Sequence, residues 1–212
     1  MQVALDSQAL IGPNALIQMV EALRIVWGPQ ETRALLGSLG LGHYADTPPQ
    51  RMLPQEEVAA LHARLHGLVD TQTFKAITRE AGLRTADYLL ANRIPRAVQW
   101  VLKRLPDAIA ARVLCRAIAR HAWTFAGSGN FSYAWAPRLV FRLRGNPLCK
   151  RIASDVPVCD YYAATFERIF RTIVNDNWRV VELQCEANGA LMCEFGFYPR
   201  NELATATQHQ EV

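Results

Sequence analysis

The chain has 212 residues, half of them hydrophobic, and a formal net charge of +4. That length and apolar content suit one sizeable domain with a substantial core, and no run of 18 apolar residues offers a bilayer span. The start, MQVALDSQALIGPN, has no basic region followed by an apolar stretch, so no secretory leader is expected and a cytoplasmic protein is the default. Five cysteines at uneven spacing do not read as a disulfide framework; in a reducing compartment, clustered cysteines more often signal metal or catalysis.

Charge is distributed unevenly. Between Asn92 and Arg151 stand twelve Lys or Arg residues against one acid, Asp107. Such a stretch can attract a carboxylated ligand, an anionic membrane face or nucleic acid, or can simply be a solvated helical face. No nucleic-acid motif accompanies it, so nucleic acid is not expected as a partner.

In chain order, NALIQMVEALRIVWG places Leu16, Met19, Val20, Leu23, Val26 and Trp27 at helical spacing and ends at Gly28-Pro29. PQETRALLGSLG is a second, shorter helix, and Pro48-Pro49 mark a loop. LPQEEVAALHARLHGLV opens with proline and acids in its first turn, as the helix dipole favours. Its His62 and His66 lie one turn apart, but no glutamate follows the first as in zinc proteases, so an exposed face is expected. Asp70 or Thr71 caps the next long helix, and Pro95 and Pro106 divide two more.

Gly127 and Gly129 end the helical period. A nucleotide loop is not expected at Gly127-Ser128-Gly129, because the third glycine is missing and the stretch follows a helix and precedes a strand. NFSYAW alternates Phe131, Tyr133 and Trp135 with small residues, which is strand spacing, and RLVFRLRG is a second strand closed by Gly145-Asn146-Pro147. CDYYAATFERIFRTIVND is an amphipathic helix with Tyr162, Phe166, Ile169, Phe170 and Ile173 on one stripe. WRVVELQCEANGALMCEFGFY supplies a closing hairpin. The reading is an α+β fold: a helical amino-terminal region over 1–109, a sheet domain with an inserted helix over 110–200, and a polar, disordered tail over 201–212.

The hairpin carries Cys185 and Cys193. Its apolar sets, Val181, Leu183 and Cys185 against Leu191, Cys193, Phe195 and Phe197, share one face if a three-residue loop with a left-handed glycine joins the arms. Glu182 then points away from Cys185 and reaches it only through a bulge or a strand-end twist. Cys159 stands at a helix start, where amides and the dipole favour a thiolate. Three thiolates and a carboxylate match the tetrahedral preference of zinc in a closed, structural site. Ordinary buried cysteines are the other reading of the same spacing.

The set Cys159, Glu182, Cys185 and Cys193 resembles, in identity and spacing, the metal-binding signature of the 4-vinyl reductase domain family, over roughly residues 110–198. The resemblance implies zinc held by those four residues, a fold like the TRAPP vesicle-tethering subunits, and a small hydrophobic or aromatic ligand between sheet and helices. The helical amino-terminal part and TFAGSGNFSY resemble members that serve bacteriochlorophyll biosynthesis. For those the implied ligand is a magnesium tetrapyrrole of the divinyl protochlorophyllide type. Trp123, Phe131, Tyr133 and Trp135 would line its seat, an arginine such as Arg120 or Arg138 would meet a carboxylate and His121 would be an axial ligand. Plain core for the aromatics and a helix-end histidine for His121 remain the alternatives.

The resemblance also implies vinyl reduction, which needs a source of hydride or electrons. The chain shows no dinucleotide fingerprint, and zinc is redox-inert. The expectation is therefore a carrier that passes the intermediate between pathway enzymes, with a vinyl reductase or reductase subunit as the alternative and a ligand-free scaffold as a third. A homodimer and peripheral contact with the photosynthetic membrane are compatible with it.

Overall fold

The computed structural model describes residues 9–135 and 137–201; the tail expected beyond Asn201 lies outside the described residues. Helices α1 (Asn14–Trp27), α2 (Pro29–Ser38), α3 (Gln55–His66), α4 (Thr71–Asn92), α5 (Arg96–Leu102) and α6 (Asp107–Arg120) come first. A two-residue bridge pairs β1 (Leu10–Ile11) with β2 (Leu53–Pro54). The second part holds β3 (Asn130–Ala134), β4 (Val140–Arg144), α7 (Asp160–Ile173), β5 (Trp178–Gln184) and β6 (Cys193–Pro199). The four long strands form one antiparallel sheet in the order β3-β4-β6-β5.

Helix α7 is the axis of the molecule. Its expected stripe of Tyr162, Phe166, Ile169, Phe170 and Ile173 is buried, facing the sheet. There Phe166 meets Phe141 edge-on at 5.0 Å between ring centroids, and Phe170 lies 4.6 Å from Phe197. Edge-to-face pairs add about 0.5–1.5 kcal/mol each beyond the area they bury. The opposite face of α7 lies on α4 at a backbone separation only glycine permits. A Cβ on Gly82 would sit 2.2 Å from the Tyr161 carbonyl oxygen. Thr165 donates to the Gly82 carbonyl at 3.0 Å, and Thr85 and Tyr161 share a hydroxyl hydrogen bond of 2.7 Å. Buried Glu167 binds α7 to β5, accepting from Arg179 at 2.9 Å and from the Val180 amide at 3.0 Å.

The helical and sheet regions share one core, in which Leu16, Met19 and Phe74 belong to the same cluster as Phe141 and Phe195. The Gly127-Ser128-Gly129 stretch is one of the joints between them. Buried Gln55, the first residue of α3, accepts from the Ser128 amide at 2.8 Å and donates to its hydroxyl at 2.9 Å. Gly127 has φ +57°, and a side chain there would collide with that amide group.

Three expectations are corrected. His62 is buried rather than exposed, with its ring edge-on to Phe74 and Tyr161, and His66 packs on Phe74. Helix α3 needs that face to cover α4. In the hairpin, Val180 and Glu182 point inward, while Leu183 is 40% and Leu191 77% exposed. A bulge between Glu182 and Gln184 then inverts the alternation, so that Cys185 returns to the core. The arms are joined not by three residues but by 185–192, which include a short 3-10 turn and Gly189 at φ +87°.

Gly82→Ala should lower stability by about 1–3 kcal/mol in thermal unfolding, because α4 and α7 must separate. The sign is diagnostic, since glycine to alanine inside a free helix stabilises by about 1 kcal/mol. A pH dependence follows from His62, whose pKa burial depresses from 6.5 to about 3. The unfolded chain takes up a proton below about 6.5 that the folded protein refuses, so stability falls as the pH drops from about 6.5 towards 3. Between pH 7 and pH 5, denaturant unfolding of His62→Leu should lose about 2 kcal/mol less than the parent protein.

Candidate metal centre

Four sulfur atoms from separate stretches of chain meet at the end of the sheet. Strand β4 leaves through Gly145 at φ +71° and the Asn146-Pro147 turn, which carries the chain to Cys149. Cys159 is the residue before α7, Cys185 follows β5, and Cys193 opens β6 opposite Leu143 of β4. The Sγ atoms of Cys159 and Cys185 are 3.5 Å apart, those of Cys149 and Cys193 3.7 Å, those of Cys159 and Cys193 3.8 Å, and those of Cys185 and Cys193 3.9 Å. All four lie within 4.8 Å of one another, and all four residues are buried. A tetrahedron with metal–sulfur bonds of about 2.3 Å has sulfur–sulfur edges of about 3.8 Å. The cluster has the dimensions to hold one metal ion.

The surroundings are those of a thiolate site. Asn146, with no exposed surface, donates through Nδ2 to Cys159 Sγ at 3.1 Å and to Cys193 Sγ at 3.2 Å. Its orientation is fixed because its Oδ1 accepts from the Leu148 amide at 2.9 Å. Glu186 accepts from the Gly145 and Asn146 amides, both at 2.7 Å, and so ties the hairpin loop to the β4 turn. Hydrogen bonding from Cys149, Cys159 and Cys193 pulls the Cys185 thiol below its ordinary range, while Cys159, among the same neighbours, is pushed up. Four thiols packed this closely cannot all ionise in a buried site without a cation among them.

Glu182 stands beside the cluster. The inward turn of its strand brings the carboxylate to the Cys159 amide, from which Oε2 accepts at 2.7 Å, while the buried Oε1 has no hydrogen-bond partner. Burial, with the Cys185 and Cys193 charges, pushes its pKa up to about 10. The fourth member of the compact sulfur set is thus Cys149, to which the sequence assigns no role, and Glu182 fixes the helix start that presents Cys159. Cys149 sits at the end of GNPLC, just beyond a turn signal, and that is the hint available. The sequence marks Asn146 only as a turn residue and Glu186 not at all. Cys115 is an ordinary core thiol in α6, pushed up to about 12 by burial.

The residues expected to hold a ligand are not gathered into one cavity. Phe131 and Tyr133 pack against the core, Phe131 at 5.1 Å from Phe141. Trp123 is 61% exposed. Arg120 and His121 are exposed at the end of α6, where the His121 ring bonds the Ala117 carbonyl. Trp135 lies beneath the Arg112 guanidinium at 5.6 Å. A surface groove of about 720 Å³ opens elsewhere, lined by Val26, Trp27, Leu35 and Leu68 with Glu31 and Arg64.

An antiparallel sheet packed on a helical half, with a closed four-thiol cluster at the sheet's end that could hold a metal, defines an α+β protein with a candidate metal centre. The 4-vinyl reductase domain matches residues 139–199, which contain all four cysteines. The chain is 41% identical over 192 residues to the bacteriochlorophyll synthase 23 kDa chain of Cereibacter sphaeroides, covering 90% of this chain and 91% of that one. It is 35% identical over 198 residues to the protein of the same name from Rhodobacter capsulatus, covering 93% and 91%. The chain belongs to this family of bacteriochlorophyll biosynthesis proteins that carry a 4-vinyl reductase domain.

Among solved structures the fold resembles that of H-NOX proteins. One, described under "Probing the function of heme distortion in the H-NOX family", superposes with a TM-score of 0.56 at 13% identity over 90% of this chain and 96% of that one. A second, a doubly substituted Tt H-NOX, gives 0.51 at 12% identity with the same coverage. This corrects the expected likeness to TRAPP subunits. The resemblance runs through the helical half as well as the sheet, the two being joined where α4 packs on α7.

Cys149→Ala should release the bound metal, read by metal analysis, and cost at least about 2 kcal/mol in unfolding, because site binding energy is folding energy. Glu182→Gln keeps an acceptor for the Cys159 amide and should retain the metal at a cost under about 1 kcal/mol. The reverse pattern would return the fourth ligand position to Glu182.

Proposed function

We propose that this protein binds a magnesium tetrapyrrole intermediate of the divinyl protochlorophyllide type and carries it between enzymes of bacteriochlorophyll synthesis. The observation that carries this reading is the kinship with two bacteriochlorophyll synthase 23 kDa chains over nine-tenths of the sequence. The shared architecture supports it, since the structural relative is studied for heme distortion and heme is itself a tetrapyrrole. The metal we assign to Cys149, Cys159, Cys185 and Cys193 is zinc, on grounds of four soft thiolate donors and tetrahedral spacing. With every position filled by protein, the ion has no place for substrate and no redox chemistry to give. That favours a carrier over a self-sufficient vinyl reductase.

Two seats for the pigment follow. The groove beside Trp27 is concave, has apolar walls and falls in the size class of small-molecule sites, and Arg64 can meet a carboxylate. The other is the end of α6, where Arg120, His121 and Trp123 are exposed. No helix of the described residues is long and apolar enough to cross a membrane.

Titration with a magnesium porphyrin, followed at the Soret band, tests both. A seat at the groove predicts at least about tenfold weaker binding for Trp27→Ala and little change for Trp123→Ala, since losing an aromatic wall costs about 1–3 kcal/mol. A seat at the end of α6 reverses that pattern. Consumption of added reductant with saturation of a vinyl group would replace the carrier by a reductase, and absence of binding by the folded, metal-loaded protein would defeat the proposal.

A further inference from the structure

Helix α5 and the outer side of α6 do not complete their own packing. Leu102 is the one buried residue of α5, while Val98, Trp100 and Val101 are exposed, Trp100 by 57%. Ile109 and Val113 are likewise exposed on α6. Cations are interleaved with these apolar side chains. Residues 93–120 hold seven Lys or Arg against the single acid Asp107, whose carboxylate is engaged by the Asn175 amide. Among the described residues none of those seven makes an ion pair. Further along the same basic stretch, Arg142 is held by Glu194, and Lys150 and Arg151 are both held by Glu56. Exposed Arg144 also lacks an ion pair among the described residues, but unneutralised charge is concentrated in the segment that also exposes its apolar side chains. Arg104 lies over the Trp100 ring at 3.6 Å, placing a cation directly beside the largest apolar group.

We propose that α5 and the outer face of α6 dock on an anionic lipid bilayer. Exposed tryptophan and valine supply groups that partition into the boundary between headgroups and acyl chains, and the unpaired cations supply attraction to anionic headgroups. Each cation near such a surface strengthens binding about fivefold, so seven of them dominate the encounter at low salt. A second copy of the same face is disfavoured because it would set cation against cation. This surface is separate from both pigment seats considered above, apart from the far end of α6, and the inference does not depend on the cargo.

The test is co-sedimentation of the full, metal-loaded chain with pigment-free vesicles of phosphatidylcholine, with and without phosphatidylglycerol. Binding is expected only to the anionic vesicles, with a blue shift of tryptophan emission and release by salt. The double variant Trp100→Ser with Val101→Ser, and separately Arg112→Glu with Arg116→Glu, should each weaken binding at least about tenfold, metal content and circular dichroism staying unchanged. Equal affinity for both vesicle types, no vesicle binding by the parent protein, or binding that survives both variants would overturn the assignment. So would capture of an acidic protein or self-association through this face in place of lipid.

Discussion

Four sulfur atoms 3.5 to 3.9 Å apart along the measured edges cannot sit in a dry site as four thiolates unless a cation lies between them. That requirement organises the carboxyl-terminal half. It fastens the exit of β4, the start of α7 and both arms of the last hairpin to one point, although Cys149 and Cys193 are 44 residues apart in sequence. The neighbouring polar groups serve the same point. Asn146 turns its amide towards two sulfurs, Glu186 holds the turn that aims Asn146, and Glu182 grips the amide of Cys159. A hairpin with no thiols to deliver has no need of its irregular eight-residue connection or of the bulge that reverses its alternation.

The helical half is not an appendage to this sheet domain. Helix α4 approaches α7 so closely that Gly82 is obligatory, and Gln55 locks the 127–129 loop from the far side. One core passes through both halves, and for that reason the likeness to the H-NOX fold spans 90% of the chain while the 4-vinyl reductase domain covers only residues 139–199. The boundary expected near residue 109 falls within α6, and the helices and the sheet on either side share one core.

Division of labour follows from this construction. A metal held by all four cysteines would stabilise the end of the sheet and be closed to substrate, which leaves chemistry or cargo to other parts of the molecule. The exposed material lies elsewhere too: a groove at α1–α3 with Trp27 and Arg64, the aromatic end of α6, and the basic, apolar flank of α5.

Local chemistry was readable from the chain alone. Apolar spacing marked α1 and α7, prolines divided α5 from α6, and Asp70 announced α4 through the cap it makes with the Thr73 amide. The convergence of Cys159, Cys185 and Cys193 was suggested by a helix start and a hairpin, both local features. Tertiary structure alone decided the rest. The inward turn of Glu182, the selection of Cys149, the burial of His62 and the joint between Gln55 and Ser128 each depend on which surfaces meet after folding. Periodicity records how a segment distributes its side chains about its own axis. It does not record which neighbour will cover a face, nor where a strand will bulge to bring one sulfur back to the others.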